Sequence, residues 1–421
     1  MKNSRAKLTT TALAVGVLAL TTACGGGSSF SSGSSSTPSA GTTGTGPLSV
    51  LIGSSGTAET NAVKAAAAAF SQQSGVKVNV IAAQNLVQQV SQGMAANDPP
   101  DVFYLDTTSF QNYAKVGALY PYADKVSKPD DFFPALKTAF SYNNKFYCAP
   151  KDWSTLGLVV NTDDWTAAGL TAADVPTNWD QLSAASKKLT TGGRVGLTVD
   201  PSHSGLDEFL LQNGGTLIAE DKKSAAFDSP QNIEALTYLK GLLTSGVMKF
   251  PSALGAGWNG EAFGKNKASM TIVGNWIDGA MKADFPKVNY KVYPLPAGPS
   301  GAKATNSFTN CWGIPAKSAN QANAVKLVDY LTSVDQQMAF AKAFGVMPSR
   351  QSAKDQWTTA FPDDAAFLAQ ADIAKPDLAL AGGVQAIADY DAKLAQLAKS
   401  DPKTILSSVQ TNITAVIKQN G

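Results

Sequence analysis

The chain has 421 residues, 34 of them basic and 32 acidic for a net charge of +2, with one histidine and three cysteines. Near-neutral charge without basic runs argues against a nucleic-acid or anionic-surface partner held by bulk electrostatics, and one histidine leaves nucleophilic triads poorly supplied. The length suits two domains with sizeable cores.

At the N-terminus Lys2, Arg5 and Lys7 precede an apolar run from Ala12 to Leu20 that is too short to span a bilayer, so residues 1–23 read as an export signal. Thr21, Thr22 and Ala23 lead into Cys24, and this stretch resembles the bacterial lipobox, where a peptidase cuts before a cysteine already carrying diacylglycerol. Thr21 stands where that motif usually has Leu; the alternative is an ordinary cleaved signal with a stray cysteine. Residues 24–46 are rich in Gly, Ser and Thr and have too few apolar side chains to fold, so they read as a tether, with a coil reach of about 25 Å. With Cys24 lipidated, Cys148 and Cys311 remain as an even pair in an oxidising compartment. A disulfide is the economical reading, and two buried free thiols the alternative.

From Leu48 to Ile52 "LSVLI" predicts a strand, followed by a helix whose Val63, Ala66, Ala67 and Phe70 keep helical spacing until Gly75. In "VKVNVI" the valines Val76, Val78 and Val80 alternate with polar residues as in a half-buried strand. A helix carrying Leu86, Val90 and Met94 comes next, and "PDVFYLD" predicts an interior parallel strand from Val102 to Leu105. This alternation predicts a doubly wound α/β lobe. Further strands at "GLVVNTDDW", "RVGLTVD", "ASMTIVGNW" and "YKVYPLP" alternate with helices bearing Ile233, Leu236, Leu239 and Leu243, or Val325, Val328 and Leu331, and imply a second α/β lobe. The tail is helical, with Ile387, Tyr390, Leu394 and Leu397 on one face.

The segments "PDVFYLD", "AKVGALYPY", "FYCAP", "LGLVVNTDDWTAAGL", "PTNWDQLSAASKKLT", "GEAFGKNKASMTIVGNW", "YPLPAGPSG" and "GVMPSR" occur in one order. Together they resemble family 1 extracellular solute-binding proteins, the maltose-binding-like receptors of bacterial ABC importers. The resemblance implies a type II periplasmic-binding-protein-like fold, two doubly wound α/β lobes joined by hinge crossings near "CAPKDWS", near "YPLP" and after the helix ending at Gly345. It divides the chain into a first lobe of 47–152 with 296–345 and a second of 153–295 with 346–421. A ligand lies in the cleft between lobes and favours closure by touching both. Cys148 and Cys311 would lie near the hinge on the first lobe.

A pyranose presents hydroxyls at its rim and C–H groups on its face, so a binder needs flat aromatics and polar acceptors. Trp276, Trp312, Trp153 and Trp258 are the aromatic candidates, whereas Trp165 and Trp179 read as packing residues. Glu59, Asp106, Asp152 and Asp207 stand at loop positions toward the supposed cleft; each could instead be a cap or a solvated charge. His203 and Arg350 complete the set, with a surface or cap role and a salt bridge as their respective alternatives.

Catalysis finds little support: there is no G-x-S-x-G elbow, no H-E-x-x-H, no zinc spacing and no EF-hand loop. Only a glycosidase, which needs two carboxylates, escapes exclusion by composition. The resulting expectation is a monomeric, lipid-anchored binding component, without cofactor or metal, on the outer face of the cytoplasmic membrane. It captures a sugar, on this reading an oligosaccharide, and delivers it to the transmembrane subunits of an ABC permease. The alternatives are a polyol or glycerol phosphate as ligand, or a sensor, adhesion or carbohydrate-active role on the same fold.

Overall fold

A computed structural model describes residues 46–54, 56–219 and 223–420. The export signal, Cys24 and the tether up to Thr45 lie outside the described residues. Twelve strands follow in chain order: β1 (Leu48–Ile52), β2 (Val78–Ala82), β3 (Val102–Asp106), the hairpin β4 (Ser141–Tyr142) and β5 (Lys145–Phe146), and β6 (Pro150–Asn161). Then come β7 (Val195–Thr198), β8 (Met248–Lys249), β9 (Ala268–Gly274), β10 (Tyr290–Tyr293), β11 (Thr305–Gly313) and β12 (Ala374–Pro376). All but the hairpin join one mixed sheet in the order β2-β1-β3-β11-β6-β9-β7-β8, with β10 added to β6 and β12 to β11.

The helix Thr57–Ser74 buries Val63, Ala66, Ala67 and Phe70 against β1 and its neighbours, a face worth about 1.5–3 kcal/mol for each large apolar side chain. It stops where Gly75 turns into the left-handed region at φ 74°. β3 is parallel to β1, as its apolar run predicts, but on its other edge it meets β11 antiparallel, because β11 returns from the far side of the molecule. The sheet is therefore mixed.

Two cores occupy the two ends of the sheet. One gathers Val50, Phe103, Phe110 and Leu327 around β1 and β3; the other gathers Leu158, Leu197, Leu236 and Leu406 around β7 and the C-terminal helices Val384–Leu394 and Pro402–Asn420. A third cluster, including Trp153, Val159, Ile277, Met347 and Trp357, lies along the crossing strands. β6 is buried at all twelve positions and changes partner midway: Pro150–Thr155 pair with β11, and Leu156–Val160 pair with β9. β11 does the same, its Thr305–Ser307 facing β12 and its Asn310–Gly313 facing β3.

The crossing expected at "YPLP" runs instead along β11. Leu295 packs in the second core and Ala297 bridges to Asn178. Gly298 holds this segment down, since a Cβ there would come within 2.0 Å of the Gln212 carbonyl oxygen. A third crossing follows Gly345 (φ 81°), where Met347 and Trp153 exchange backbone hydrogen bonds. Cys148 and Cys311 form a disulfide with Cα atoms 5.6 Å apart, where β11 shifts register between Asn310 and Cys311.

Candidate functional site

A cleft of about 1160 Å³ opens where β6, β11 and the segment after Gly345 cross. Gly53, Glu59, Lys151, Asp152 and Asn310 line it from the first lobe. Asp200, Trp258, Asn275, Trp276 and Asp278 line it from the second, with Phe308 and Phe344 near the crossings.

Trp276 follows β9 and is 42% exposed, the one tryptophan in the described residues that is both large and open to solvent. Its ring lies over Gly274, where an added Cβ would fall 2.0 Å from the indole, and stands edge-on to Phe308 at a centroid distance of 5.2 Å. Asn275 fixes the turn before it: its N–H donates to Ser154 Oγ at 2.9 Å and its Nδ2 to the Gly345 carbonyl at 2.7 Å. Trp258 also lines the cleft, half-buried and folded over Gly260.

Facing these rings, the first-lobe wall carries a charged cluster. Glu59 stands in the first turn of the helix Thr57–Ser74, buried, and accepts from the Tyr104 hydroxyl at 3.0 Å and from Lys151 Nζ at 3.2 Å. Lys151 also pairs with Asp152, and its ammonium sits 4.5 Å over the Tyr104 ring. Burial pushes the Asp152 carboxyl up, and Lys151 opposes it; burial would lower the Lys151 ammonium, but Asp152 and Glu59 outweigh that and hold it up. On the opposite wall burial raises Asp200, which accepts from the Asn259 N–H, and Asp278, which accepts from the Tyr290 hydroxyl.

The structure thus places Glu59, Asp152, Trp258 and Trp276 in the cleft wall and takes five expected residues elsewhere. Asp106 caps its own helix Thr107–Lys115, accepting from Ser109 N at 2.8 Å. Trp312 is 1% exposed in the first core, edge-on to Tyr104, because β11 is covered on both faces. His203 and Asp207 belong to a buried network: His203 bonds Asp391 at 2.8 Å and Asp207 accepts from Tyr390 at 2.7 Å. Arg350 lies behind the first lobe, bonded to the carbonyls of Thr332 and Lys128 and packed over Phe132, so it is a structural residue with no face in the cleft. Trp153 touches the cleft, but its indole is buried and donates to the Pro348 carbonyl at 3.0 Å, so it offers no stacking face.

Lys151, Asp200, Asn275 and Asp278 were not expected. Asp200 follows β7 at its carboxyl end, the position where ligands gather in α/β sheets, so the topology rule alone finds it. Nothing in the sequence distinguishes Lys151 from a solvated lysine.

Among the described residues no three His, Cys, Asp or Glu side chains are placed to hold a metal ion, and no helix is long and apolar enough to cross a membrane. What the cleft offers is an open indole face opposite fixed hydrogen-bond acceptors, an arrangement for holding a small polar molecule between two lobes.

Two α/β lobes, three crossings and a cleft at the crossings define a type II periplasmic-binding-protein architecture. The family model for bacterial extracellular solute-binding protein matches residues 65–370, and the chain belongs to that family. It is 24% identical over 351 residues to a binding protein of Brucella abortus, covering 79% of this chain and 84% of that one. It is 26% identical over 328 residues to a maltooligosaccharide ABC transporter solute-binding lipoprotein of Streptococcus pneumoniae, covering 71% and 73%. Among solved structures, the GacH receptor of Streptomyces glaucescens, known unliganded and with acarbose, superposes with a TM-score of 0.78 at 22% identity, covering 89% of this chain and 99% of that one. Membership of this family makes the chain a binding protein and not an enzyme.

Proposed function

We propose that the protein is the lipid-anchored substrate-binding component of an ABC importer, capturing an oligosaccharide in the cleft and handing it to the permease. The observation that carries the ligand class is Trp276, an open indole face opposite the carboxylates Glu59 and Asp152: a sugar ring stacks its C–H face on the former and donates hydroxyls to the latter. The names of the pneumococcal lipoprotein and of the acarbose-bound receptor support the same class. Anchoring rests on Cys24 within its lipobox-like stretch. The lobe division belongs to the same proposal, with crossings at residues 152–153, along β11 in place of the expected 295–296, and at 345–346, and with closure about them.

The test is a thermal-shift screen against mono- and oligosaccharides, polyols and glycerol phosphate. A ligand that binds only the folded state adds about 2.7 kcal/mol of stability at a hundredfold excess over Kd. One oligosaccharide class is expected to raise the Tm, and Trp276→Ala is expected to weaken its binding at least tenfold, about 1.4 kcal/mol, with little change in unliganded stability because the ring is half-exposed. A shift with glycerol phosphate alone, or with no carbohydrate, would overturn the oligosaccharide assignment.

A further inference from the structure

We infer that Asn112 and Gly382 form a latch between the lobes, holding them together on the ligand side and slowing the release of a captured solute. This rests on the lobe division and the cleft site proposed above. It goes beyond them by naming a contact, outside the cleft lining, that sets how long a ligand stays. The Gly382 N–H donates to Asn112 Oδ1 at 2.6 Å, between residues 270 apart in the chain. On the proposed division Asn112 belongs to the first lobe and Gly382 to the second.

Each partner is fixed to its own lobe. Asn112 stands in the helix Thr107–Lys115, whose Phe110 and Ala114 are buried in the first core and whose start is capped by Asp106. Gly382 stands in a turn closed by the Gly383 N–H on the Leu380 carbonyl at 2.9 Å. Its φ of 70° falls at the third position of that turn, where a type II turn needs glycine. The closing bond uses Gly383, which leaves the Gly382 N–H to an acceptor outside the turn. Leu378 and Leu380 pack in the second core, and Asp377 accepts from the Ser204 hydroxyl at 2.7 Å.

The contact lies on the cleft side of the molecule. The helix Thr107–Lys115 leaves the carboxyl end of β3. The helix His203–Gln212, to which the Gly382 segment is tied through Ser204, follows the carboxyl end of β7 just past Asp200. Ligands gather beyond the carboxyl ends of parallel strands, and Asp200 itself lines the cleft. The bond from Trp153 Nε1 to the Pro348 carbonyl, by contrast, joins segments next to the crossings. The Asn112–Gly382 bond joins two rims that hinge opening moves apart, so it is made only with the lobes drawn together. Neither residue lines the cleft, so removing the bond changes closure without removing a ligand contact.

A hydrogen bond of this kind shifts a two-state equilibrium by about three- to tenfold. Release passes through the open form, so the dissociation rate reads the latch whichever form prevails without ligand. The test measures stopped-flow dissociation of maltotriose, and hydrogen exchange of segment 379–384 in the unliganded protein. It compares wild type, Asn112→Ala and Asn112→Asp, the last of which keeps an acceptor. Asn112→Ala is expected to release maltotriose, and to exchange the Gly382 amide, about three- to tenfold faster, with little change in Tm because both cores are untouched. Asn112→Asp is expected to stay near wild type in both readouts. Equal release or equal exchange in wild type and Asn112→Ala would overturn the inference, and so would equal acceleration in the two variants. If maltotriose binds none of the three, the sugar reading falls, while exchange at Gly382 still decides whether the latch forms.

Discussion

Replacing Cys148 and Cys311 together by serine is expected to lower the free energy of unfolding by about 2–5 kcal/mol, the usual effect of losing a native disulfide. The bond closes a loop of 163 residues, for which chain entropy alone gives roughly 5 kcal/mol, toward the upper end of that range. Its position adds a structural reason. β11 shifts register between Asn310 and Cys311, and just past the shift the Trp312 N–H donates to the Ala149 carbonyl. The disulfide therefore clamps β11 to the entry of β6 where the ladder is irregular and both strands are crossing between lobes. Denaturant unfolding of the oxidised protein, the reduced protein and the double serine variant measures the effect, with the last two expected to coincide. A midpoint unchanged from the oxidised wild type would show that packing alone holds this junction. Neither sulfur lines the cleft, so ligand affinity below the transition should change little.

How far the sequence carries this architecture differs from element to element. β1 and the helix Thr57–Ser74 are legible because one face is buried and Gly75 supplies a stop. β6 is the opposite case: all twelve residues are buried, so no alternation tells which side chains face the cleft, and Trp153, like Trp312 in the fully buried end of β11, could not be separated from Trp276 by pattern. Trp276 stands out only because it follows a strand end, where side chains leave the sheet. The carboxylates split along another line. Glu59, in the first turn of its helix, and Asp152, within β6, reach the cleft although both were expected in loops. Asp106 sits at an equally good position and turns back to cap its own helix, a local bond that competes with any ligand. His203 and Asp207 are claimed by partners 188 and 183 residues away, and Arg350 by the Lys128 carbonyl 222 residues away, distances over which a single sequence carries no pairing signal.

The same buried network gives the protein a stability that should fall as pH rises. His203, at the start of the helix His203–Gln212, bonds Asp391 at 2.8 Å through Nδ1 and stands 3.5 Å from Asp377 through Nε2, while Ser204 donates to Asp377 at 2.7 Å. Asp207 and Glu208 lie one turn on, fully buried, with Tyr390 donating to the first and Asn306 near the second. Burial works against the His203 charge, but the bonds to Asp377 and Asp391 overcome it and raise its pKa to about 11. Burial raises Asp207 to about 7, despite the opposing pull of His203 and Tyr390, and Glu208 moves in the same direction.

A group whose folded pKa is raised holds its proton more tightly in the native state, so its contribution is full below the unfolded pKa and disappears as pH climbs through the folded one. For Asp207 that window runs from about 4 to about 7; for His203 it runs from about 6.5 to about 11. Both slopes have the same sign, so the free energy of unfolding is expected to decline between pH 5 and pH 8.5. Asp207→Asn, which keeps an acceptor for the Tyr390 hydroxyl, should remove up to one proton from the linkage, flattening the slope by as much as roughly 1.4 kcal/mol per pH unit below pH 7. His203→Gln leaves Asp377 and Asp391 without a cation and should lose on the order of 3 kcal/mol at pH 8, and more at pH 5, where the charged imidazole of the wild type contributes in full. Urea unfolding at half-unit pH intervals reads all three proteins. A wild-type profile that is flat or rising across this range would mean that Asp207 is ionised in the native state and that His203 shares its charge with no carboxylate.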